Sequence, residues 1–175
     1  IQQEVLYAMQ PELVPVAAAE PQKFGAKDIR DLSWKNLMDA YSCTECGRCS
    51  AACPANQTGK LLSPRKIMMD TRDRLEEVGK NINVNKEFKD DSRSLLHDYI
   101  SVEELRACTT CNACVQECPV SISPLDIIIQ LRRYLVMEES NSPQEWTAMF
   151  SNVENNFAPW KFSPDERDKW VEEVQ

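Results

Sequence analysis

Cys43-Thr44-Glu45-Cys46-Gly47-Arg48-Cys49-Ser50-Ala51-Ala52-Cys53-Pro54 is answered further along the chain by Cys108-Thr109-Thr110-Cys111-Asn112-Ala113-Cys114-Val115-Gln116-Glu117-Cys118-Pro119. Both stretches read C-x2-C-x2-C-x3-C-P, and together they use all eight cysteines of the 175 residues. The repeat, at an offset of about 65 residues, occurs only twice and is longer than a solenoid unit, so it defines a pseudo-symmetric pair rather than an array. The sequence around each run predicts helices. Before the first, Ser33 can cap a stripe of Trp34, Leu37, Met38 and Tyr41; before the second, Ser101 and Glu104 form a capping box ahead of Val102 and Leu105. After each run comes Ser-Pro, at Ser63-Pro64 and Ser123-Pro124, the signature of an N-cap with proline at the first helical position. The first of these helices carries Ile67, Met68, Thr71, Leu75 and Val78, with Gly79 expected to end it. The second, from Leu125, carries Ile127, Ile128, Ile129, Leu131, Tyr134 and Leu135. No segment of the region holding the two runs alternates with the period of a half-buried strand, and four glycines against ten prolines suit an all-α fold better than a hairpin-rich one.

The runs themselves point to iron and sulfide. C-x2-C-x2-C-x3-C-P is the spacing in which three neighbouring thiolates and one remote thiolate hold a 4Fe-4S cube. A short turning loop aims three sulfurs at one face of the cube, while the fourth iron corner points away and needs a ligand from elsewhere. Where two such runs share a chain, the fourth cysteine of each serves the other cluster. Cys43, Cys46, Cys49 and Cys118 are therefore assigned to the first cluster, and Cys108, Cys111, Cys114 and Cys53 to the second. Disulfide staples would spread cysteines along a secreted chain to close loops. Structural zinc takes four ligands per ion, commonly from separated C-x2-C pairs or with histidine. Here each run has a third cysteine two residues further on, and the sole histidine, His97, lies outside both. A folded metal module, of zinc or iron and sulfide, that binds a partner without redox turnover stands as the alternative to a redox role.

Composition sets outer limits. Hydrophobic residues make up 42% and charged residues 27% of the chain, as in a globular domain. The longest apolar run, Val14 to Ala19, is too short to span a bilayer. A net charge of -8 disfavours gripping nucleic-acid phosphates. The chain begins with Ile1 and shows no secretory leader, and it reads as a piece of something longer. Three parts are expected. Residues 1–30 are read as a linker, extended around Pro11, Pro15, Pro21 and Ala17 to Ala19; residues 31–138 form a helical dicluster domain; residues 139–175 form a tail. Within the domain, the polar residues 80–94 are expected as an exposed loop, with residues 95–100 returning to the core. The tail holds Trp146, Phe150, Phe157, Trp160, Phe162 and Trp170 but few aliphatics, so its rings need a surface to cover.

The paired runs, each followed by Ser-Pro, resemble the helical two-cluster ferredoxin module of heterodisulfide reductase-like iron-sulfur oxidoreductases over residues 31–138. Similar modules occur in one of the subunits of anaerobic glycerol-3-phosphate dehydrogenase, in lactate- and glycolate-oxidising iron-sulfur subunits, and in membrane proteins that pass electrons from electron-transferring flavoprotein to menaquinone. Residues 152–160 resemble the Asn/Glu-rich segment, ending in Pro-Trp, that leads into the next domain in such proteins. The CCG motifs and membrane helices of the larger members are not found in this sequence. The resemblance therefore implies an electron-carrying section of a longer oxidoreductase, with a redox partner such as a flavoprotein donor, a CCG domain or a quinone-side acceptor. No substrate-converting site is visible in the chain. A location in the cytoplasm, or on the cytoplasmic face of a membrane through a missing segment or partner, follows from thiols that must stay reduced.

With four thiolates on each cube every iron is saturated, which leaves one-electron transfer as the chemistry and excludes substrate binding at iron. Gly47, lacking a side chain, is expected to let backbone N–H groups approach the cluster. Arg48 is expected to favour the reduced cluster by charge, and Glu45 and Glu117 to oppose it, against the simpler reading of all three as solvated rim residues. Met68 and Met69 are read as core, His97 as a surface residue, and the tryptophans as packing or docking groups. No nucleophile-base constellation or glycine-rich phosphate loop indicates flavin or nicotinamide binding.

Overall fold

The computed structural model describes residues 23–161, 163–166 and 168–174, which divide into two compact units between Tyr134 and Leu135. Elements in chain order are α1 (Trp34–Ser42), α2 (Arg48–Ala51), α3 (Pro54–Gln57), α4 (Pro64–Asn85), α5 (Val102–Ala107), α6 (Ala113–Gln116), α7 (Pro124–Met137), α8 (Gln144–Asn156) and α9 (Lys169–Glu173). Among the described residues there is no strand, only an isolated bridge between Leu96 and Ile100. The architecture is all-α.

The helix starts lie where short polar side chains satisfy first-turn N–H groups. Ser33 Oγ accepts from the Asn36 N–H at 3.2 Å, Ser63 Oγ from Lys66 at 3.4 Å and Ser123 Oγ from Asp126 at 3.2 Å. The capping box is reciprocal: the Glu104 N–H donates to Ser101 Oγ at 3.2 Å and the Ser101 N–H to Glu104 Oε2 at 2.9 Å. Behind these caps α4 and α7 supply the core through Ile67, Met68, Ile127, Ile128 and Leu131, joined by Leu95, Leu96 and Ile100.

Four local expectations change. Gly79 does not end α4, which continues to Asn85 and stops where Lys86 turns left-handed (φ +68°). One glycine costs a helix only about 1 kcal/mol, and Asn81 fastens the extension by donating to the Lys89 carbonyl at 2.7 Å and accepting its N–H at 3.0 Å. The expected loop is thus helical as far as residue 85. On α1 the apolar stripe faces outward: Trp34 is 75% exposed and Met38 and Tyr41 also face solvent, while Asn36, Asp39 and Ala40 are buried. Asp39 wins the inward face because it accepts from Lys35 Nζ at 2.6 Å and from the Ser123 N–H at 3.3 Å, pinning the start of α7. Of the expected linker, residues 1–22, with Pro11, Pro15, Pro21 and Ala17 to Ala19, lie outside the described residues, as does Phe162 of the tail. Its remainder, residues 23–30, is part of the helical unit. The Ala26 N–H donates to the Gln130 carbonyl at 3.0 Å, and a Cβ on Gly25 (φ +75°) would stand 2.3 Å from that oxygen.

The fourth change is Arg74, on the face of α4 expected to be apolar, with no exposed side-chain surface. Its guanidinium meets Asp28 at 2.8 Å, Asp91 at 2.5 Å and the Arg93 carbonyl at 2.7 Å, so it ties α4 to the segments on either side of it. The hydrogen bond from Arg74 holds the Asp91 carboxyl below its ordinary range. In the second unit, Phe157 ends α8 in the left-handed region, and Trp146, Phe150, Phe157, Trp160 and Trp170 are exposed.

Leu131→Ala is expected to cost about 2–5 kcal/mol, whereas Trp34→Ala stays within about 0.5 kcal/mol, both read from denaturation midpoints under argon. Arg74→Ala leaves two carboxylates without their cation and should cost about 3–5 kcal/mol. Because the folded state depresses the Asp91 carboxyl, its contribution is present above the unfolded carboxyl pKa and is lost as pH falls through the lower folded value. The stability difference between wild type and Asp91→Asn should therefore shrink on acidification below about pH 4.

Candidate metal centre

The two cysteine loops follow the same backbone path. The third residue of each run is left-handed (Glu45 and Thr110, both φ +56°), and so is the fifth (Gly47, φ +81°; Asn112, φ +67°). Glycine takes that conformation freely and asparagine tolerates it better than most residues, which explains a pair with little else in common. Each fifth residue begins a one-turn helix, α2 or α6, and turns main-chain N–H groups back toward the sulfurs. The N–H groups of Arg48 and Ala113 bond Cys46 and Cys111 and lower both thiols below their ordinary range. The Thr110 N–H lies 3.4 Å from Cys108 Sγ. After Cys53, Pro54 occupies the first turn of α3.

The packing of α2 against α6 brings the two loops together. Two hollows result. The first, of about 350 Å3 including its open mouth, is bordered by Cys43, Cys46, Cys49 and Cys118, with Arg65, Met68 and Ile122 on its walls. The second, of about 310 Å3, is bordered by Cys53, Cys108, Cys111 and Cys114 beside Leu62 and Ile128. Cys114 borders both. Burial raises the Cys49 thiol, and it raises Cys114 to about 11 with help from the charges of Cys108, Cys49 and Cys53. Eight thiols gathered this way repel one another as thiolates, so the donor set calls for a strongly cationic centre on each side. Among the described residues no three His, Cys, Asp or Glu side chains converge on one point as a single ion requires. Sulfurs around each hollow, with Cys114 shared between them, N–H groups aimed at sulfur and apolar walls suit a 4Fe-4S cube.

Gly47 sits in the left-handed turn that opens α2, and Arg48 is exposed in its first turn. Glu117 is exposed. Glu45 accepts from Arg72 Nη2 at 2.5 Å, so its charge is largely cancelled. Met68 is buried and borders the first hollow, and His97 is exposed in an irregular turn at Leu95–Tyr99. Sequence reading missed three arginines. Arg65 reaches the first hollow from α4. Arg72 and Arg132 are each the ninth residue of the helix that begins at Ser-Pro, Arg72 bonded to Glu45 and Arg132 to the carbonyls of Leu105 and Cys108. Their common position within the repeat was the available signal.

The fold and site define an iron-sulfur electron carrier with two clusters. The pattern of the 4Fe-4S dicluster domain matches residues 42–122 of the chain. It is 33% identical over 182 residues to a probable iron-sulfur-binding oxidoreductase, FadF, of Bacillus subtilis, a match that covers 87% of this chain and 26% of that protein. It is 34% identical over 173 residues to the EtfAB:quinone oxidoreductase of Syntrophomonas wolfei, with 88% and 24% covered. It is also 34% identical over 108 residues to one of the subunits of the ferredoxin/F(420)H(2)-dependent CoB-CoM heterodisulfide reductase of Methanosarcina acetivorans, with 61% and 53% covered. The chain thus spans about a quarter of the length of the first two relatives and about half of the third. It is an electron-transfer module carrying two 4Fe-4S clusters. Among the described residues no helix is long and apolar enough to cross a membrane. Anaerobically prepared protein is expected to contain about eight iron and eight acid-labile sulfide per chain, by colorimetric assay, with zinc at trace level.

Proposed function

We propose that this chain is the electron-carrying section of a larger iron-sulfur oxidoreductase, in which Cys43, Cys46, Cys49 and Cys118 hold one cluster and Cys108, Cys111, Cys114 and Cys53 the other. The observation that supports this reading is where the last cysteine of each run lies: Cys118 borders the first hollow with Cys43, Cys46 and Cys49, and Cys53 borders the second with Cys108, Cys111 and Cys114, while Cys114 stands between the two. When bound, each cluster supplies a one-electron couple with no open iron for a substrate. The chain's own residues hold the clusters side by side, keep water from their inner faces with Met68, Ile122, Leu62 and Ile128, and leave Cys46 and Cys111 exposed at the outer ends. Those exposed ends suit entry and exit of electrons.

The names of the relatives favour a flavoprotein donor on one side and a quinone- or disulfide-reducing unit on the other. The outward stripe of Trp34, Met38 and Tyr41 on α1, which runs into Cys43, supports contact with an adjoining domain or partner beside the first cluster. A reducing compartment, the cytoplasmic side of a membrane, suits free thiols and iron-sulfur ligation.

The ligand sets are tested by comparing single cysteine variants. Cys118→Ser should reduce the iron content by about half, and the EPR spectrum remaining after dithionite reduction should match that of Cys46→Ser rather than Cys111→Ser. A match to Cys111→Ser would show that each run serves its own cluster. A wild-type protein with iron that dithionite does not reduce would favour a purely structural module.

A further inference from the structure

The two halves of the repeat treat the same arginine differently. Arg72 on α4 and Arg132 on α7 are both ninth residues of their helices and both reach the cysteine loop of their own half. Arg72 meets carboxylates, Glu45 at 2.5 Å and Asp73 at 4.0 Å. Arg132 meets none among the described residues. Its Nε donates to the Leu105 carbonyl at 2.9 Å, its Nη2 donates to the Cys108 carbonyl at 2.5 Å, and Nη2 also bonds Leu105. Leu105 lies near the C-terminal end of α5, where carbonyls lack helical partners, so the guanidinium caps the helix and grips the first cysteine of the loop together.

We propose that Arg132 is a positioning residue that fixes the Cys108 loop and raises the reduction potential of the cluster held there, while Glu45 cancels the equivalent effect of Arg72 at the other cluster. This rests on the redox reading above. Reduction adds one negative charge to a cluster, so an uncompensated cation beside its ligand loop favours the reduced form. Arg132 is half-buried and weakly screened. Arg65 at the first hollow and Arg48 beside Cys46 are both exposed, so solvent and salt weaken their influence. The thiol repeat makes the two clusters alike in ligands; the arginine pair makes them unequal in charge. A pair of unequal potentials gives electrons a preferred resting place at the Cys108 end.

The test is an EPR-monitored redox titration of the full chain. Arg132→Gln should lower the midpoint potential of one of the two cluster components and leave the other in place, and Arg132→Lys, which keeps the charge, should restore most of the shift. Glu45→Gln, an exposed change that frees Arg72, should raise the potential of the other component. Unchanged potentials in both glutamine variants would overturn the proposal, as would both moving the same component or lysine behaving like glutamine. If Arg132→Gln loses a cluster, Glu45→Gln decides: an unshifted component means the arginines act only as structural clamps. A wild-type chain without reducible clusters would instead fail the redox reading itself.

Discussion

Thiolates gathered in a small volume repel one another, so each must either keep its proton or share a cationic centre. Burial sharpens the conflict: Cys114, buried between the two hollows and surrounded by Cys49, Cys53, Cys108 and Cys111, is the hardest of them to ionise alone. The chain answers with main-chain N–H groups at Cys46, Cys108 and Cys111, and with loops whose left-handed turns at Gly47 and Asn112 make those N–H groups available. Helices, caps and buried aliphatics then serve to hold two strained loops against each other. Cluster ligation adds to folding stability in such an arrangement, because metal replaces the protons on a donor set that the fold already gathers.

The repeat is closed by interactions that cross from one half to the other. Asp39 on α1 accepts the Ser123 N–H at the start of α7, and its counterpart Glu104 on α5 meets Lys66 near the start of α4 at 2.9 Å. Both carboxylates sit just ahead of a cysteine run and both bind the helix that follows the other run. Each half therefore orients the other, and the exchange of fourth cysteines between hollows follows the same crossing. Charge does not follow the symmetry. Glu45, Arg48 and Arg65 have Thr110, Ala113 and Leu125 as counterparts, so the two clusters share a geometry but sit in different fields.

A module of this kind moves electrons. The relatives are two to four times its matched length, and their names put different chemistries at the end of the same wire. What the chain contributes is generic in ligand and specific in surface: the exposed ends at Cys46 and Cys111, the outward stripe on α1 and the aromatic side chains of the second unit.

The sequence by itself determined the two clusters, the helical class, the caps at Ser33, Ser63, Ser101 and Ser123, and the buried faces of α4 and α7, because ligand spacing, capping and helical periodicity are local properties. It misjudged α1, whose apolar stripe faces solvent, and the end of α4 at Gly79, because a buried carboxylate and a side-chain clasp from Asn81 outweighed local preference. Arg74 was hidden for a related reason: an arginine on a core face makes sense only once Asp28 and Asp91, distant in sequence, are brought around it. The neutralised Arg72 and the unneutralised Arg132 were decided by tertiary structure alone. Charge pairing and burial depend on which residues meet across the fold, and spacing along the chain does not encode that.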